Sequence, residues 1–68
     1  MSYNIISQYV KTERKKLGLT QHDLAYKAGV GLRFVRELER GKETVRLDAV
    51  NKVLRLFGAH LGPMDLQR

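Results

Sequence analysis

Residues 19–30 read Leu-Thr-Gln-His-Asp-Leu-Ala-Tyr-Lys-Ala-Gly-Val, and residues 31–41 continue Gly-Leu-Arg-Phe-Val-Arg-Glu-Leu-Glu-Arg-Gly. Thr20 suits the cap of a helix whose first residue is Gln21. Leu24, Ala25 and Ala28 then recur at helical spacing, with small alanines where a second helix must cross closely. Gly29 stands where a left-handed residue ends such a helix. Val35 and Leu38 turn the apolar stripe of the next helix inward. Leu32, Arg33, Phe34, Arg36 and Glu37 are left facing outward or at the leading end. Two short helices around a tight glycine turn, the second one exposed, are what placing a helix in a DNA major groove requires.

Outward from this stretch, the sequence predicts an all-α chain of four or five helices. A first helix is expected over residues 3–16, with Ile6, Val10 and Leu17 on one stripe and Gly18 stopping it. Helices over 21–28 and 32–40 follow, and Gly41 closes the latter. Residues 41–46 form a charged loop. A last helix is expected over 47–57, because Leu47, Val50, Leu54 and Phe57 are spaced i, i+3, i+7, i+10. Gly58 terminates it. Val53, Leu56 and Ala49 form a second apolar row. It either widens the core-facing stripe or meets a second subunit. The tail over 59–68 has no helical period. Ala59, Leu61, Met64 and Leu66 suggest a short extended segment that either pairs across a dimer or frays.

The 68 residues read as one domain, spanning 1–68 with its two-helix centre at 20–40. So short a chain buries about 60% of its unfolded surface. Its core alone rarely supplies more than roughly 3–5 kcal/mol, which makes a homodimer expected on stability grounds. With no cysteine, neither a disulfide framework nor a cysteine zinc site is available. Thirteen Lys and Arg against seven Asp and Glu give a net charge of +6, favouring a polyanionic partner. No apolar run approaches the ~20 residues of a membrane span, and the start shows no basic segment leading into an apolar core. A cytoplasmic location is therefore expected.

Five cations, Arg33, Arg36, Arg40, Lys42 and Arg46, share residues 33–46 with Glu37, Glu39 and Glu43. A mixed charge run by itself is usually a solvated, salt-bridged face. Here the cations sit on and just beyond the exposed helix, which favours DNA contact. The leading turn of such a helix meets base edges; its end and the next loop meet phosphates. Arg33 is the expected direct reader, since a guanidinium can bond guanine O6 and N7 together. Glu37 either accepts from a cytosine amino group or pairs with Arg33 four residues back. Arg36 reaches a base or the backbone. Arg40, Lys42 and Arg46 are expected on phosphates, as is Gln21 at the start of its helix. Phe34 either presses on a thymine methyl or packs on the first helix. Gly31 provides no side-chain cap.

Arg14 falls on the core stripe of the first helix, and Glu39 follows Leu38 near the end of the third. A buried charge needs a partner, so these two are expected to pair between helices.

These residues together resemble the Cro and phage-repressor type of helix-turn-helix protein, the Xre family, over about residues 6–58. The resemblance rests on Leu-Thr-Gln, Leu-Ala before Ala-Gly-Val, and the closing Glu-Arg-Gly. It implies a lambda-repressor-like bundle of four or five helices and a homodimer on a palindromic operator in double-stranded DNA. By position it puts Gln21, Arg33, Phe34 and Glu37 near bases or adjacent phosphates, and Arg40 and Lys42 on the backbone. It also implies the Arg14–Glu39 pair. Residues 31–42, with Val-Arg-Leu-Asp at 45–48 and Val-Leu-Arg-Leu-Phe-Gly at 53–58, look most like HipB-type antitoxins. That resemblance implies repression of the chain's own operon, a HipA-like kinase toxin as partner, and a C-terminal strand pairing across the dimer. Leu32 and Phe34 depart from the polar readers many repressors carry, leaving the operator sequence open.

No enzyme is expected. His22 and His60 lie on different elements, with no nucleophile–base constellation and no glycine loop that could cradle a phosphate. No cofactor and no metal site are expected. The competing reading is a protein-interaction module whose basic face meets an acidic partner.

Overall fold

Each helix begins and ends on a signal that can be read in the chain. In the computed structural model, which describes residues 4–63, Asn4 caps α1 (Ile5–Lys16) by accepting from the Ser7 amide at 3.0 Å. The helix therefore starts two residues later than its apolar spacing suggests, because the Asn4 backbone is extended. Thr20 caps α2 (Gln21–Ala28) in a reciprocal box: the Asp23 amide donates to its hydroxyl, and its own amide donates to the Asp23 carboxylate, both at 3.0 Å. Gly29 closes α2 at φ 74°, a left-handed conformation that a side chain would strain. Gly31 opens α3 (Leu32–Arg40) without a side-chain bond. Gly41 closes α3 at φ 93° with its backbone against Asn4, whose amide nitrogen donates to the Gly41 carbonyl at 3.3 Å. Arg46 precedes α4 (Leu47–Leu56), which stops one residue short of its expected end because Phe57 has left helical geometry.

The four helices share one core of Val10, Leu24, Ala25, Val35, Leu38, Val50, Val53 and Leu54. The principal packings are α2 on α3, α1 on α3, and α2 on α4. Ala25, fully within the core, and half-buried Ala28 keep α2 slim where its neighbours cross. Val53, from the second apolar row of α4, is wholly buried, so that row widens the core stripe. Leu56, at its far end, is exposed.

Two apolar positions depart from their stripes. Leu17 is exposed because it lies a turn beyond Arg14, where the core has ended and the Arg14 guanidinium (Nη1) donates to the Leu19 carbonyl at 2.8 Å. Leu47 is exposed because the first turn of α4 precedes Val50, its first core residue. Ser7, unremarked in the apolar pattern, is buried, its hydroxyl donating to the Asn4 carbonyl at 2.9 Å.

Residues 59–63 form neither helix nor strand. The Leu61 amide donates to Asn51 Oδ1 at 2.8 Å, laying this segment along α4. A strand needs an extended neighbour, and none exists among the described residues; Met64 and Leu66 of the expected tail lie outside them. Among the described residues no helix is long and apolar enough to cross a membrane.

Candidate nucleic-acid interface

α3 sorts its residues by side. Val35, Leu38 and Glu39 are buried, Leu32 and Phe34 are half-buried against the core, and Arg33, Arg36 and Arg40 are exposed. Nine residues at 1.5 Å each make α3 about 13 Å long, and a helix about 10–12 Å across with its side chains fits a major groove about 12 Å wide. The left-handed Gly29 and the two residues after it turn the chain sharply enough to set α3 across α2.

The two apolar residues that sat awkwardly at the leading end are thereby explained. Leu32 packs onto the core rather than facing out. Phe34 lies beside Val30, Arg46 and Ala49 in a recess at the start of α4. Its ring is half-buried against the core and borders the start of α4.

Glu39 organises the inner edge of the site. Arg14 grips its carboxylate with two nitrogens, Nε to Oε2 at 2.6 Å and Nη2 to Oε1 at 3.0 Å. The side chains are only 12% and 2% exposed. Gln21 Nε2 also donates to Glu39 Oε1, at 3.1 Å. One amide proton of Gln21 is thus committed inward, leaving its second and its carbonyl for a partner outside. Every buried polar side-chain atom among the described residues has a hydrogen-bond partner, as burial requires.

Glu37 organises the outer edge. It stands between Arg33, Nε to Oε2 at 3.5 Å, and Lys42, Nζ to Oε1 at 3.4 Å. Arg33 is 91% exposed. Exposed helical pairs at this spacing contribute about 0.3–0.5 kcal/mol, whereas a bidentate guanidinium–guanine contact discriminates by about 1–3 kcal/mol. The Arg33–Glu37 pair is thus weak beside such a contact. Arg46 donates to Asp48 from Nε at 3.1 Å and Nη2 at 2.8 Å, and this holds the Asp48 carboxyl below its usual range. Both groups are exposed.

Lys11 was absent from the sequence-based set. It lines a recess of about 280 Å³ with Gln21, Arg36, Glu39 and Arg40. Its signal was available: it precedes Arg14 by three residues and so shares that face of α1. Arg40 also borders a second recess with Glu37, Gly41 and Lys42.

Comparison with known proteins agrees with this geometry. A family model described as "Helix-turn-helix" matches residues 10–63, spanning α2, α3, α4 and most of α1. An uncharacterized HTH-type transcriptional regulator of Sinorhizobium fredii (strain NBRC 101917 / NGR234), y4mF, is 43% identical over 56 residues, 82% of this chain and 74% of that protein.

Proposed function

We propose, from the premise that the chain belongs to the helix-turn-helix family, that it is a sequence-specific DNA-binding repressor of transcription. The observation that carries this reading is the sorting of α3: its apolar residues pack inward while Arg33, Arg36 and Arg40 stand exposed. In this reading Arg33, Phe34 and Glu37 meet base edges, Arg36 meets a base or the backbone, and Gln21, Arg40, Lys42 and Arg46 hold phosphates. The Arg14–Glu39 pair sets the angle at which α3 is presented.

The repressor acts in the cytoplasm as a homodimer on a palindromic operator, with half-sites about 34–36 Å apart or a multiple of that. An open apolar groove lined by Ile5, Ile6, Tyr9, Leu54, Ala59 and Leu61 supports dimer formation. We further propose that the protein is a HipB-like antitoxin that represses its own operon and binds a HipA-like kinase toxin. The resemblance of residues 31–58 supports this, and copurification with a kinase encoded beside it tests it. The repressor reading is tested by selecting bound duplexes from a random pool. Recovery of a symmetric consensus that outcompetes scrambled duplex is expected; equal binding to scrambled duplex removes the reading.

A further inference from the structure

Five ion pairs occur among the described residues, and they engage Arg14, Lys16, Arg33, Lys42 and Arg46. None involves Lys11, Arg36 or Arg40, yet these three cations, from α1 and α3, line one recess. Arg36 and Arg40 stand four residues apart on α3, a like-charge spacing that weakens a helix by itself. The one carboxylate in the recess, Glu39, is already held by two nitrogens of Arg14 and by Gln21. Three charges without an ion pair among the described residues, lining one recess beside an acid already paired, are disposed to receive an anion. Gln21 adds a neutral donor at the same opening.

We propose that this recess seats one backbone phosphate of duplex DNA, with Lys11 as its wall from α1. The inference rests on the DNA-binding reading above and extends it in two ways. It carries the contact surface onto α1, and it turns Arg36 toward the backbone rather than toward bases. Lys11 is then a phosphate ligand, and its loss weakens all sequences alike.

A protein–DNA cycle tests this. Wild type and Lys11→Gln are titrated, by fluorescence anisotropy, with a duplex recovered from the random pool and with copies carrying a neutral methylphosphonate at each phosphate in turn. At one phosphate per half-site, the methylphosphonate weakens wild type more than it weakens Lys11→Gln, in which Arg36, Arg40 and Gln21 still face that phosphate, the non-additivity expected of groups in contact. The slope of log affinity against log salt falls by up to about 0.9 for each half-site occupied, the value for one phosphate. The preference for selected over scrambled duplex is unchanged. Lys11→Arg keeps the charge and retains both the slope and the sensitive phosphate, which separates contact from folding. Additive effects at every phosphate, with the slope unchanged, overturn the proposal and leave the repressor reading standing. Failure of wild type to discriminate any duplex removes both.

Discussion

Two Arg–Glu pairs that include a glutamate of α3 make opposite use of the same chemistry. Arg14–Glu39 joins α1 to α3 in the interior, at 2.6 Å and almost out of solvent. Arg33–Glu37 lies along the outer face at 3.5 Å with its arginine in water. The inner pair cannot be opened cheaply, because either partner alone would be a buried, uncompensated charge. The outer pair is nearly free to open, because solvent screens it and replaces it. A recognition helix needs both properties: a fixed base, and readers that can exchange a carboxylate for a base edge.

The comparison breaks most readily at Arg14. Arg14→Ala leaves Glu39 buried without its main partner and removes a donor from the Leu19 carbonyl. A loss of about 3–5 kcal/mol is expected, against a total on the order of 0.05–0.15 kcal/mol per residue for such domains. Urea unfolding measures it, and a loss below about 1 kcal/mol would contradict the interior assignment. Replacing both Arg14 and Glu39 with leucine is expected to recover much of the stability, since apolar substitutes for a buried pair are often neutral or better.

Arg33→Ala is expected to do the reverse. Stability should change by no more than about 0.5 kcal/mol, while discrimination at particular base pairs falls by about 1–3 kcal/mol. Lys42→Ala, beside the same Glu37, should weaken selected and scrambled duplexes equally and lower the salt slope by about 1 for each half-site. Competition binding with single-base variants separates the two. If Arg33→Ala also weakens every duplex equally, the outer pair is only a phosphate contact.

The smallest effect concerns how α2 is held beneath this frame. The Thr20 amide, with its hydroxyl adding, keeps the exposed Asp23 carboxyl below its usual value. A carboxyl depressed in the folded state stabilises above its unfolded value, near pH 4, and loses that contribution as pH falls through the folded one. The gap in Tm between wild type and Asp23→Ala should therefore be full at pH 6 and close as the solution is taken below pH 4. A gap independent of pH would show that the carboxylate is not the active element of the cap.

Much of this organisation is written locally. Thr20, Gly29, Gly41 and the spacing of Leu24, Val35 and Leu38 place α2, the turn and α3 to the residue, because caps, left-handed glycines and helical periodicity act within a turn or two of chain. The partnership of Arg14 with Glu39 was legible for a related reason: a charge on an apolar stripe requires a partner. What the chain alone determined is thus an all-α chain with α2, the turn and α3 in place, the core positions of those helices, and the row of exposed arginines on α3. Where the core ends was decided only in three dimensions, which is why Leu17 and Leu47 lie outside it and Phe34 leans on α4. So was the meeting of Lys11 with Gln21, Arg36 and Arg40 around one recess. Those outcomes depend on the angles at which helices far apart in sequence cross, and no local signal carries them.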